Sequence, residues 1–208
     1  MKQIAIVLVI GFALSLCNLS ERFKKSSSGS NSSGSTSVSD NEASPERAQP
    51  TAAQTAALAG GQDAKWDRQG MSWTVPPNWT ESQNESKNLS WRSPGSGAAS
   101  LIVSISPMSE EFPMDIALKA AYDGAKTRAK NGEVDELKWV EIDGLKGVQF
   151  REANPEQPDG HRRLQWMAYR KYTGQVQLVS VMLASEGKDF ERHKDAMYGI
   201  LYSMKVAH

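Results

Sequence analysis

Three short stretches of the chain carry side chains that could do chemistry. Asp189, Glu191, His193 and Asp195 bring three carboxylates and an imidazole into seven residues, the side-chain types of a metal site or an acid/base pair. Residues at every second position of a helix turn by roughly 200° per step, so these four cannot converge on one ion, and His193 alone falls on an apolar stripe, as a packed, hydrogen-bonded histidine would. Ser96 lies between Gly95 and Gly97, yet the five-residue Gly-x-Ser-x-Gly pattern of a nucleophile turn is absent and no helix follows, so a loop is the expected role. His161-Arg162-Arg163 could hold an anion, but Glu156 and Asp159 lie close enough to neutralise it, which favours a solvated loop. With one cysteine, Cys17, and three histidines spread along the chain, an intramolecular disulfide and a structural zinc site are excluded by count. No cofactor is implied, and a chain expected to act without catalytic residues is expected to be a binding protein and not an enzyme.

Charge points the same way. Lys+Arg and Asp+Glu are 24 each, so the basic excess of a nucleic-acid binder is missing and no such partner is expected. Six tryptophans are many for so short a chain. Trp73, Trp79 and Trp91 fit a core, whereas Trp139 and Trp166 alternate against neighbours that are themselves apolar, leaving one of them to face outward as a binding surface.

The elements that must position these residues begin after a long polar stretch. Ile4 to Leu16 is an apolar run that rises about 20 Å as a helix, short of the roughly 30 Å hydrocarbon core of a membrane. It reads as the hydrophobic segment of a signal peptide over residues 1–17. Residues 18–65 read as a disordered Ser/Gly/Ala-rich tether: 26–37 hold no apolar side chain, Pro45 and Pro50 follow, and only Ala52 to Ala59 could flicker into helix. A single domain is then expected over 66–208.

Within it, Met71, Trp73 and Val75 alternate up to Pro76-Pro77, a strand. Leu89 and Trp91, a turn at Ser93 to Gly97, and Leu101, Val103 and Ile105 make a hairpin. A helix capped by Asp115 should present Leu118, Ala121, Tyr122, Ala125 and Ala129 and stop at Asn131-Gly132. Four strands follow near 137–142, 145–153, 163–172 and 175–183, joined in pairs by Asp143-Gly144 and Thr173-Gly174. The last, apolar at nearly every position after Gln177, reads as a central strand covered on both faces. A closing helix from about Lys188 sets Phe190, His193, Met197, Leu201 and Met204 in one stripe. The expected class is α+β, an antiparallel sheet of about six to seven strands flanked by helices.

Two resemblances add to this reading. Leu14-Ser15-Leu16-Cys17 resembles the lipobox of bacterial lipoproteins, although Leu16 stands where Gly, Ala or Ser is usual. It implies a lipid attached to Cys17, a membrane partner, and a domain held in the cell envelope, facing the periplasm or the exterior. An uncleaved or secreted form and a cytoplasm-facing domain are the alternatives. Gly70-Met71-Ser72-Trp73-Thr74-Val75-Pro76-Pro77-Asn78-Trp79 and the terminal Phe190 to Met204 helix resemble the PsbP/DcrB-like group, which includes Ran-binding Mog-type proteins. That resemblance implies a PsbP-like α/β/α sandwich and an accessory role with a protein partner, and it carries no functional residue over. A carrier of a small apolar ligand between sheet and helix is the alternative.

Overall fold

Tight two-residue turns set the register of the longest strands. Asp143-Gly144 and Thr173-Gly174 all take positive φ, from 50° to 85°, which matches the right-handed twist of the strands they join. In the computed structural model, which describes residues 36–157 and 159–208, the elements run β1 (Ser37–Val38), β2 (Glu46–Arg47), α1 (Ala52–Ala57), β3 (Gln62–Trp66), β4 (Met71–Val75), β5 (Thr80–Asn84), β6 (Asn88–Arg92), β7 (Ser100–Met108), α2 (Met114–Lys130), β8 (Val134–Ile142), β9 (Leu145–Glu152), β10 (His161–Tyr172), β11 (Gln175–Glu186), α3 (Gly187–Tyr202) and β12 (Lys205–Val206). The signal segment and Cys17 lie outside the described residues.

The fold is α+β, and the sheet is larger than expected and mixed. Seven strands in the order β8-β9-β10-β11-β7-β6-β5 are antiparallel, and β1 and β2 both add to β8 in parallel, making nine. Strand β4 lies outside this sheet: it pairs with β3 and β12 in a second, three-stranded sheet. Its partners are distant or sit in the stretch read as tether, so local alternation could not reveal them.

The two faces of the large sheet are covered unequally. One carries α3 and the small sheet over a core of Trp66, Trp73, Leu89, Leu101, Trp166, Val181, Phe190 and Met197. The other carries α2, whose Leu118, Tyr122, Ala125 and Ala129 pack on Leu137, Trp139, Val148 and Phe150 of β8 and β9. Asp115 is not the cap of α2: Pro113 holds that position without a side-chain bond, and Asp115 lies exposed in the first turn, where its charge suits the helix dipole.

Two further expectations are corrected here. Residues 46–65 are not a free tether, because α1 packs on α3 and β3 buries Ala64 and Trp66. Thr51 closes a capping box with Gln54, which starts α1 in so short a segment. Strand β11 is central but its two faces are covered unequally: Val179, Val181 and Leu183 are core, while on the opposite face Val176 and Ala184 are buried and Leu178, Ser180 and Met182 between them are half-buried. Helix α2 lies chiefly over β8, β9 and β10.

Candidate functional site

Neither tryptophan proposed for a surface reaches one. Trp139 is 2% exposed and stacks on Tyr122 at 4.8 Å between ring centres, with the Lys146 ammonium 5.5 Å from the ring. Trp166 is 0% exposed and its Nε1–H donates to the Val140 carbonyl at 3.3 Å. Gly147 makes that position possible, since a Cβ there would run into the indole. The physical reason is that the sheet has cover on both faces along β8 to β10, so either phase of the alternation points into a core.

The histidine and serine candidates line one cleft, which their separation of almost a hundred residues hid. A cleft of about 540 Å³ lies between Ala57, Pro76 to Trp79, Ser93 to Ser96 and the α3 residues Arg192, His193 and Ala196. Gly95 and Gly97, at φ 86° and 63°, turn the β6–β7 loop so that its carbonyls face α3. His193 Nε2 sits 2.9 Å from the Gly97 carbonyl and 3.3 Å from Arg192 Nη2, donating to the first when protonated there and accepting from the second when not, and Arg192 Nη2 donates to the Ser96 and Gly97 carbonyls at 3.1 Å each. Asp189 binds Arg192 at 3.1 Å, not the imidazole. In either tautomer the nitrogen that faces the serine loop is engaged, by the Gly97 carbonyl or by Arg192, whereas a general base needs a lone pair turned to the nucleophile. Asp189, Glu191 and His193 point to different partners, Glu191 bonding Arg162 and Lys194. Among the described residues no group of three or more His, Cys, Asp or Glu could hold a metal ion.

The His-Arg-Arg run is not a solvated loop, because it opens β10. Arg162 is 3% exposed and its guanidinium bonds Asp135 Oδ2 at 2.5 Å, Glu191 Oε1 at 3.0 Å and the Glu152 carbonyl at 2.8 Å. Arg163 pairs with Glu152 at 3.1 Å. Arg151 joins the same network through Asp135 and the Tyr198 hydroxyl. Burial, followed by the Glu136 charge, pushes the Tyr198 hydroxyl pKa far above its ordinary value, so it stays neutral. With their donors turned to carboxylates, these arginines form a structural tie between sheet and α3 and do not act as an anion receptor.

One surface went unnoticed in the sequence. On the face of the large sheet away from α3, Leu178 and Met182 of β11 and Ile102 of β7 form a half-buried apolar strip, with Met182 opposite Ile102 and Ser180 between Ser104 and Met167, which packs against the α2 cluster at the border of the strip. Its sequence signal is the apolar run of β11, broken only by Ser180, a pattern that a strand covered on both faces also shows.

The sequence matches no protein-family profile and no curated protein. Among solved structures, the chain is similar to LpqN of Mycobacterium tuberculosis, described as involved in cell envelope biogenesis, with a TM-score of 0.52 at 10% identity over 84% of this chain and 99% of that one. It also matches the cyanobacterial PsbP (CyanoP) of Synechocystis sp. PCC 6803, with a TM-score of 0.44 at 13% identity over 71% and 92% of the two chains. The Saccharomyces cerevisiae Ran-binding protein Mog1p matches with a TM-score of 0.43 at 13% identity over 70% and 95%. What LpqN shares with this chain at such identity is the fold, and the PsbP and Mog-type structures that the sequence resembles are among its structural neighbours.

Proposed function

We propose that this chain is an accessory binding protein of the cell envelope, tethered through a lipid on Cys17, that engages a protein partner without catalysing a reaction. The observation that carries this reading is the half-buried strip of Leu178, Met182 and Ile102 in the middle of the sheet, beside the α2 cluster and on strands whose other face is full core. A half-buried methionine beside serines suits a surface that meets another protein, because the flexible thioether adapts to its shape. The cleft beside α3 supports the same reading, since its Arg192, His193 and Asp189 are bonded within the protein. The fold shared with LpqN, together with the apolar run ending at Cys17, supports the envelope. The alternative of an apolar ligand between sheet and helix gains no support, because Trp66, Trp166, Phe190 and Met197 fill that space among the described residues.

Two measurements test this. Cross-linking in envelope membranes should capture one partner with the native chain and several-fold less of it with Met182→Lys at an unchanged melting temperature. Equal capture by both would sink the reading. Labelling with a radioactive fatty acid should mark the native chain and not Cys17→Ser, and the absence of label from both would remove the anchor.

A further inference from the structure

The outer edge of β8 is occupied by a segment of its own chain. Ser37–Val38 lies beside Glu136–Leu137, and Glu46–Arg47 lies beside Val140–Glu141, both in parallel. The segment runs from 37 to 46 while β8 runs only from 136 to 140, so the residues between arch away from the edge. Beyond these pairings the main chain adds Ser39 N–H to the Leu137 carbonyl and Ala48 N–H to the Glu141 carbonyl, each at 2.9 Å.

Side chains complete the grip, and they are mostly charged. Asp40 takes both oxygens to the Lys126 ammonium at 2.8 Å and accepts from the Tyr122 hydroxyl at 2.5 Å. Glu42 meets Lys146 at 3.8 Å and Glu46 meets Lys138 at 3.4 Å, while Arg47 pairs with Glu141 at 3.4 Å. Three carboxylates of the strap thus meet three lysines of the body, two on the α2 side of β8 and one on the other. The Lys126 ammonium, and after it the Tyr122 hydroxyl, hold the Asp40 carboxyl below its ordinary pKa, so the position favours a carboxylate. Of the strap's apolar side chains, Val38 is exposed and Ala48 alone packs on the core.

Such a grip is generic. Backbone addition to a strand edge and carboxylate–ammonium pairs can be made by any extended acidic chain, and exposed pairs of this kind are individually weak. After Ala48 the chain passes Pro50 into α1, which is fixed on α3, so the strap can leave the edge while α1 stays. We propose that the outer edge of β8, flanked by Lys126, Lys146 and Lys138, is a docking surface for an extended acidic segment of a partner protein, and that residues 37–48 occupy it in cis until that segment displaces them. Naming a partner rests on the binding-protein reading, but the surface is separate from the strip on β11.

The test uses the full chain and a fluorescent peptide with the sequence of residues 36–48, followed by anisotropy. Asp40→Asn/Glu42→Gln/Glu46→Gln, which weakens the strap in cis, should bind the peptide at least about tenfold more tightly than the native chain, because a tethered competitor acts at an effective concentration of order millimolar. Asp40→Asn alone should fall between. Adding Lys126→Glu/Lys138→Glu/Lys146→Glu should abolish binding, and raising ionic strength from about 0.01 M to about 0.15 M should weaken it severalfold. Near-UV circular dichroism identifies the folded variants. Equal affinity for native and strap variant, no binding up to about 1 mM by a folded strap variant, or equal binding of a peptide with its acids made amides would each overturn the proposal. So would strap-variant binding to phosphatidylglycerol vesicles without peptide binding, which would make the edge a membrane surface. Because no partner is present in this assay, it can succeed while Met182→Lys leaves capture unchanged, and it can fail while capture is lost.

Discussion

Residues 36–48 and residues 52–66 are neighbours in sequence, the first mostly polar and the second rich in alanine, and they sit in the protein in opposite ways. The first lies along a strand edge with its side chains mostly in solvent, held by two short parallel pairings and ion pairs. The second is part of the core. Its six-residue helix is started by the Thr51 and Gln54 capping box, with bonds of 2.9 and 3.3 Å, and Leu58 beyond it packs on α3. Strand β3 then buries Ala64 and Trp66, and the Trp66 Nε1–H donates to the Glu85 carbonyl at 3.2 Å. The difference teaches that a few apolar side chains, Leu58, Ala64 and Trp66, received by a matching gap, fix a segment in the core, whereas a segment that lacks them is left to backbone pairing and surface charge.

The strongest way to break this comparison is to remove the second region's anchor. Trp66→Ala should lower stability by ~3–5 kcal/mol, the usual loss for a large aromatic truncated in a core. A chain beginning at Gln49 should stay within about 1 kcal/mol of the native one, because what it lacks among the described residues is held by surface pairs. Urea titrations of both measure the contrast. A loss below about 1 kcal/mol for Trp66→Ala would mean that β3 is an ornament on the domain and that the two regions are alike.

Gly199 sharpens the same contrast through a sign. It lies in α3 where α1 crosses, and a Cβ there would stand 2.8 Å from the Gln54 carbonyl and 3.1 Å from Leu58 Cγ. Alanine in an open helix position would stabilise by up to about 1 kcal/mol relative to glycine. Here the crowding falls on backbone, so Gly199→Ala should instead destabilise by ~1–3 kcal/mol as α1 is pushed away. A stabilised variant would show that α1 does not pack on α3 in solution.

Much of the sheet was legible because its signals are local. The hairpins at Asp143-Gly144 and Thr173-Gly174, the strand alternation through β6 and β7, and the stripes of α2 and α3 each lie within a dozen or so residues. What escaped was decided by distant parts of the chain. Strand β4 finds its partners in β3 and β12, the second more than a hundred residues away. Ser96 and His193 line one cleft across a similar gap, and Trp139 and Trp166 are buried because two different layers cover opposite faces of the same strands. Burial of β11 was overestimated for the converse reason, since an apolar run does not say whether a helix extends far enough to cover it. The strap was invisible because parallel addition of two residues at a time needs no apolar side chain at all.

The smallest expected effect concerns pH and bears on the strap alone. The Asp40 carboxyl is held below its usual 3.8, first by Lys126 and then by Tyr122. A group whose folded-state pKa is depressed contributes stability that is fully present above the unfolded value and is lost as pH falls through the folded one. Hydrogen exchange at the Ser39 and Ala48 amides, which bond the Leu137 and Glu141 carbonyls, reads the strap directly. Their protection, corrected for the intrinsic rate, should be steady near neutrality and fall below the usual carboxylate value, while the Ala64 and Trp66 amides of β3 keep theirs. Asp40→Asn should flatten the acid step, because the amide retains a hydrogen bond from Tyr122 but has no charge to lose. Since Asp40 is open to solvent, the same step should shrink when ionic strength is raised from about 0.01 M to about 0.15 M. An acid step of equal size in native and variant would show that the ion pair does not hold the strap, and parallel loss of protection in β3 would show that both regions open as one unit.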